Sequence, residues 1–313
     1  MALGGGYLTD ADPAQTVRAL TLLEYASDHG VRAVLVGQGI GPLENPALQR
    51  RAAEALPKMD FIGLRERRCG PEILRRAGVS SDRVLVTGDD AVELAYAARS
   101  ESPGSSLGVC LRIAAYTPLR QSAHEIVGRV VRRESARYRA RLVPLIISEH
   151  PSEDRPGTLP LVRGAERVAR LLPRYSYPAQ VAQRVAVCRI VVTGAYHLAV
   201  FALSQGIPVV AMTSSRYYDD KFLGLADMFG VGLTLVRLDD ASLEHELAAG
   251  ISKSWEQAPS VREELRARAR EQIDACREAY DRVFALTEKQ ADPQPSVVLR
   301  QSPPPQTNGQ QQS

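Results

Sequence analysis

The stretch VVTGAYHLAVFALSQGIPVVAM, residues 191–212, decides the architecture of this 313-residue chain. A β-branched run ends at Thr193-Gly194, an apolar segment of helix length follows, and a turn at Gln205-Gly206 leads into the run 207–212. Strand, helix and strand in this order describe a crossover unit with parallel, buried strands. The same pattern extends in both directions. VRAVLVG (31–37), DFIGLRE (60–66) and RVLVTGD (83–89) read as buried strands ending in polar or glycine turns, separated by Ala- and Arg-rich helical patterns such as AQTVRALTLLEYASDHG. ARSESPGSSLG (98–108) has linker composition, and the series restarts with LGVCLRI (107–113), RLVPLIIS (141–148), RIVVTG (189–194) and TLVRLDD (234–240). The expected fold is α/β with two doubly wound lobes: an N-terminal lobe at 1–103 and a C-terminal lobe at 104–257.

Within 260–288, Leu265, Ala269, Ile273, Cys276, Tyr280 and Val283 recur at three- and four-residue steps, predicting a C-terminal helix that spans 258–290. Residues 291–313 are rich in Pro, Gln and Ser and predict a disordered tail. The net charge of +3 is weak for this length and gives no reason to expect nucleic-acid binding. The four cysteines, Cys69, Cys110, Cys188 and Cys276, have neither zinc-site nor redox-motif spacing and suit a reducing cytosol. The N-terminus lacks the basic and apolar regions of a signal peptide, and no apolar run approaches membrane-helix length. The expected location is therefore cytoplasmic, with peripheral membrane association left open.

Six segments could carry chemistry. Gly4-Gly5-Gly6 allows close backbone approach to a ligand, or forms a turn before a helix capped by Asp10 or Asp12. GQGIGP (37–42), read as following a strand, is either a tight turn or a ligand-facing loop; its GxGxG spacing and Pro42 argue against a dinucleotide fingerprint. Arg65 stands at a strand end, where open α/β sheets place their ligand crevice, and Asp89 and Asp90 follow the next strand; a surface ion pair and a helix cap are the plain alternatives. Arg112 interrupts an apolar strand and requires an anionic partner, from the protein or from a substrate. His150, with Glu149 and Asp154, clusters past another strand, where a polar loop with Ser152 or Asp154 as helix cap is the alternative. His197 falls on the first turn of a helix, where it could bind an anion or act as general acid or base, or could simply cap and pack the helix; Lys221 follows a polar loop downstream.

In this order, GGGYLTD, VGQGIGPL, DFIGLRERRCGPEILRRAG, VTGDDAVEL, the strand ending in Arg112, the HPSED loop and GAYHLAVFALSQGIPVV resemble the polysaccharide pyruvyl transferase family from residue 4 to about 235. The resemblance implies two facing Rossmann-like lobes of glycosyltransferase-B type and transfer of pyruvyl from phosphoenolpyruvate to a hydroxyl pair of a cell-surface glycan or lipid-linked sugar. No metal or nicotinamide cofactor is implied. His197 matches the family histidine placed against phosphoenolpyruvate, Arg112 an arginine holding its carboxylate or phosphate, and Lys221 a further basic position. Arg65, Tyr196, Gly5, Gly6 and His150 complete the expected substrate-binding set. Two departures stand out. Ala195-Tyr196-His197 replaces the Arg-x-His of many members, and the GGG segment begins at residue 4, where members carry a preceding strand and loop, so an incomplete first lobe is expected. A nucleotide-sugar glycosyltransferase, with Asp219 or Asp220 on a ribose, and a non-catalytic glycan- or partner-binding relative are the competing readings.

Overall fold

The computed structural model describes residues 1–112, 120–150 and 154–288. The predicted tail, Ile113, Ser152 and Glu153 lie outside the described residues. Two parallel sheets form two lobes. The first contains β1 (Ala2–Leu8), β2 (Val34–Ile40), β3 (Phe61–Leu64) and β4 (Val84–Val86) in the order β1-β2-β3-β4. Its crossovers are α1 (Pro13–Asp28), α2 (Pro46–Ala55) and α3 (Gly70–Arg76), and α4 (Ala91–Ala97) leads out of it. The second contains β5 (Ser106–Cys110), β6 (Leu142–Pro144), β7 (Cys188–Thr193), β8 (Val209–Thr213) and β9 (Leu233–Arg237) in the order β6-β5-β7-β8-β9. Its helices are α5 (Gln121–Arg137), α6 (Asp154–Val162), α7 (Pro178–Val185), α8 (Tyr196–Ser204), α9 (Arg216–Phe229) and α10 (Leu243–Glu288).

The strand order of the second sheet reverses between β5 and β7, because the chain leaves β5 towards β6 and returns to the other side of β5 for β7. At such a switch point the loops diverge and leave a crevice beyond the carboxyl ends of the strands. Arg112 and Gly194–His197 emerge there. The helix α8 is apolar all round and buried from Leu198 to Ser204, so it is a central element and its N-terminus is held rigidly.

Helix α10 ties the lobes together. Leu265, Ala269 and Ile273 pack with α8 in the core of the second lobe, while Ala279 and Val283 pack on Val34, Val36 and Phe61 of the first sheet. The predicted stripe is the buried one, but the helix begins at Leu243 and runs through Pro259, well before the expected start. Other sequence expectations are corrected. Gly4–Gly6 is no turn: it lies inside β1, and Asp12, not Asp10, caps α1 through Gln15 N at 3.0 Å. Gly37–Ile40 belongs to β2 rather than following it. Arg112 lies beyond β5, which ends at Cys110. Only Leu142–Pro144 of the run 141–148 pairs as a strand, at the sheet edge, where a proline without an N–H is tolerated.

Candidate functional site

Glycines on two neighbouring strands of the first lobe make room for one arginine. Arg65, just past β3, is 4% exposed, and its guanidinium lies over Gly6 and Gly39. A Cβ at Gly6 would sit 2.9 Å from Arg65 Nη2, and one at Gly39 would sit 2.7 Å from Arg65 Nε. The charge is held by Asp89, whose Oδ2 is 3.3 Å from Arg65 Nη1 and whose Oδ1 accepts from Ala91 N at the start of α4. The carboxylate of Glu66, which lines the same cleft, accepts from Cys69 N and Gly70 N, fixing the start of α3. The glycines are therefore required by the approach of Arg65 and not by a turn.

The second lobe supplies the facing wall. The Tyr196 ring, on the first turn of α8, lies under the Arg65 guanidinium at 4.4 Å. His197 follows, its Nε2 3.9 Å from Asp89 Oδ2 and its side chain 47% exposed. Lys221 of α9 places its Nζ 3.9 Å above the Tyr217 ring and beside Gly6, and Tyr217 Oη donates to Gly6 O at 3.0 Å, stapling α9 to β1. Arg112 is oriented by Asp154, which is fully buried: Nε meets Oδ1 at 2.8 Å and Nη2 meets Oδ2 at 3.3 Å. Asp154 Oδ2 also accepts from Ile147 N and Ser148 N at 2.9 and 2.7 Å, so the arginine is anchored to a carboxylate that is itself fixed. Arg65, Tyr196, Lys221, Asp220 and Cys69 line a common cleft with Gly39.

The electrostatics follow from crowding cations in a partly dry cleft. Burial, then Arg65 and Arg112, hold the Lys221 ammonium down to about 7, against the opposing pull of Asp89. Burial lowers His197 as well; Asp89 opposes this, while Arg65, Arg112 and Lys221 reinforce it. The Tyr196 hydroxyl is pushed up by burial and stays protonated. Asp90, next to Asp89, is raised to about 6 by burial and by that neighbour; its Oδ1 has no partner among the described residues, and its Oδ2 fills the space a Cβ at Gly37 would take. Arg65, Lys221 and His197 thus gather near the positive end of α8, with Asp89 beside Arg65 and His197 and with Asp154 holding Arg112. Guanidinium, ammonium and imidazole groups set at a helix N-terminus can hold a small anionic ligand.

Of the sequence-predicted residues, the structure brings Arg65, Tyr196, His197, Lys221 and Gly6 together, while Arg112 stands just past β5 on Asp154. Gly5, at φ +140, carries its own constraint, since a Cβ there would meet the Tyr7 ring at 2.8 Å. His150 is exposed beyond β6, and of the predicted cluster it is Asp154, the first residue of α6, that meets Arg112. Of the two acids considered for a ribose, Asp219 accepts from Thr213 Oγ1 and Arg237, and Asp220 lines the cleft. Asp89 as the common partner of Arg65 and His197, Tyr217 as a staple and Asp154 as the anchor of Arg112 escaped the sequence reading. Among the described residues no group of three or more His, Cys, Asp or Glu is arranged to hold a metal ion.

Two parallel-sheet lobes with a cleft at the switch point define a glycosyltransferase-B-like fold, and solved structures share it. The chain is similar to a Listeria monocytogenes protein assigned as a UDP-N-acetylglucosamine 2-epimerase, with 13% identity, a TM-score of 0.59 and coverage of 95% of this chain and 76% of that one. It is also similar to the Anabaena HepE protein in complex with UDP (17% identity, TM-score 0.57, 88% and 77%) and to the UDP-GlcNAc 2-epimerase of Neisseria meningitidis bound to UDP-GlcNAc (14%, 0.54, 88% and 74%). At these identities the likeness is one of fold. No curated protein matches the sequence. The polysaccharide pyruvyl transferase family profile matches residues 1–216, and the chain belongs to that family.

Proposed function

We propose that the protein transfers the pyruvyl group of phosphoenolpyruvate to a pair of hydroxyls on a sugar of a cell-surface polysaccharide or its lipid-linked precursor. The observation that carries this reading is the gathering of Arg65, Lys221 and His197 around Gly6, Tyr196 and Asp89, with Arg112 held by Asp154 just beyond β5. Phosphoenolpyruvate presents a carboxylate and a phosphate, and Arg65, Lys221 and Arg112 offer three cations to them. A bound anion offsets the repulsion among these cations and raises His197, so the ligand itself favours the protonated imidazole.

Protonated His197 gives its proton to the methylene carbon of phosphoenolpyruvate. The carbon bearing the phosphate becomes an oxocarbenium centre, and one sugar hydroxyl attacks it. The C–O bond to phosphate then breaks, and the second hydroxyl closes the ketal. One hydroxyl proton returns to His197 and the other leaves on inorganic phosphate, so the atoms and charges balance. Asp89 keeps the imidazole oriented and stabilises its cation.

No helix among the described residues is long and apolar enough to cross a membrane. Four unpaired cysteines, three of them buried, suit a reducing compartment, and we assign the reaction to the cytoplasm. Phosphate release from phosphoenolpyruvate that depends on a glycan acceptor, and that falls by about a hundredfold or more in His197→Ala, is the expected result. Release independent of His197, or sugar transfer from a nucleotide sugar, would refute it; the UDP-bound neighbours make nucleotide sugars the control donors.

A further inference from the structure

The small net charge hides a strong segregation. Residues 120–190 hold fourteen arginines and no lysine against six acidic residues, while the rest of the chain has twenty-five basic and thirty acidic residues. The fold gathers part of this excess at the amino-terminal end of the second sheet, the end opposite the cleft. Two adjoining hollows share Arg139 and Arg167; one adds Arg132 and Arg133, the other Arg141 and Arg189. Glu166 lines both. Arg133 is engaged by Glu134 and Glu244, but the side chains of Arg139 and Arg141 have no hydrogen-bond or ion-pair partner among the described residues, and Arg167 donates only to Arg139 O, at 3.4 Å. Arginines 139, 141 and 167 are exposed. Strands of five or six residues separate this groove from the cleft, a distance of roughly 20 Å.

Resting on the pyruvyl-transfer reading above, we propose that this arginine groove binds an anionic polysaccharide chain carrying carboxylates, such as the product glycan once ketals have been added. The groove is concave and continuous over two hollows, which suits an extended chain better than a flat bilayer. Its cations are all guanidinium forks, matched in geometry to carboxylates. Its aromatic groups are not free for base stacking: Tyr138 and Trp255 stack on each other at 4.6 Å, and Arg189 lies 5.1 Å from the centre of the Trp255 ring. Each ketal formed on the polymer adds one carboxylate, so the groove favours a chain that has already been modified and holds it while another sugar reaches the cleft.

Trp255 is the single tryptophan of the chain and lines the groove, so its fluorescence reports on this place alone. The test is a titration of the intact protein with an oligogalacturonate of about ten units, a uronate chain of extended form. Neutral oligoglucan, single-stranded DNA and anionic phospholipid vesicles are run in parallel. The variant is Arg139→Asn with Arg141→Gln and Arg167→Gln; asparagine is chosen because residue 139 has φ +50, a conformation it tolerates. The expected result is a saturable fluorescence change with the uronate chain, weakened at least about tenfold in the variant and by added salt. Turnover of phosphoenolpyruvate with a short acceptor should be unaltered. Circular dichroism checks the variant's fold, and Arg141→Gln alone, on an exposed side chain, serves if the triple variant unfolds. The proposal is overturned by an absent uronate response, by equal binding of neutral glucan, by tighter binding of DNA or vesicles, or by wild-type affinity in the folded variant. Because binding is read directly, its failure is distinct from loss of pyruvyl transfer.

Discussion

Replacing Gly6 by alanine probes whether the cleft is the donor site. The new methyl would lie 2.9 Å from Arg65 Nη2 and 3.2 and 3.3 Å from Lys221 Cε and Nζ. Relaxed contacts of this kind need roughly 3.5 Å or more, so two side chains must give way by several tenths of an ångström. Arg65 has little freedom, being held by Asp89, by the Tyr196 ring and by the bare backbone at Gly39. Overpacking of this kind costs about 1–3 kcal/mol. If that strain falls on the two cations in the bound state, phosphoenolpyruvate affinity drops by about five- to 150-fold. Gly164→Ala is the control: nothing lies within 4 Å of its Cβ, and it bears only the strain of φ +79, about 1–2 kcal/mol, remote from the cleft. Calorimetric titration and thermal melts of both variants separate the effects. Phosphoenolpyruvate bound by the folded Gly6→Ala protein with wild-type affinity would refute the placement of the donor over Gly6.

Lys221 at about 7 sets a pH dependence: between about 7 and its unfolded value of 10.5 the unfolded chain binds more protons, so this residue makes stability rise with pH over that window. An anionic ligand reverses the preference, so phosphoenolpyruvate binding near pH 8 should take up protons, visible as a binding enthalpy that changes with the ionisation enthalpy of the buffer. Asp90 has the opposite sign, because its raised value means stability is lost as pH climbs from 3.8 towards about 6; Asp90→Asn should therefore raise the melting temperature at pH 7, by on the order of 2 kcal/mol in stability, with no gain at pH 4. Asp89→Asn leaves Arg65 buried without its counter-charge and should cost about 3 kcal/mol in a denaturant titration, with turnover falling further than stability accounts for because His197 loses its partner too. Asp154→Asn should loosen Arg112 and raise KM for phosphoenolpyruvate more than it lowers kcat.

The course of the second lobe was legible because each buried parallel strand is a continuous apolar run and each crossover a helical pattern, and the sequence 193–197 places His197 on the first turn of α8 without further help. Where side chains are absent the pattern is silent. Gly4–Gly6 carries no period-two signal, so its membership of β1 depends on pairing with β2. Its reason, the approach of Arg65 and Lys221, comes from other elements altogether. Asp89 reads locally as a cap for α4 and does serve Ala91 N, yet its partnership with His197 crosses between lobes and leaves no trace in local spacing. The Pro259 in α10 concealed the true start of that helix, because a proline inside a helical pattern reads as a boundary. The net charge averaged away the arginine groove, which emerges only when charge is followed along the chain and then onto the surface.

The most direct test of the central claim is a calorimetric titration of wild-type protein and Lys221→Met with phosphoenolpyruvate and, separately, with UDP. Saturable binding of one phosphoenolpyruvate per chain is expected, weakened at least about tenfold by the substitution, in keeping with loss of a charge-assisted contact. UDP binding that survives the substitution, together with no binding of phosphoenolpyruvate to the wild type, would contradict it.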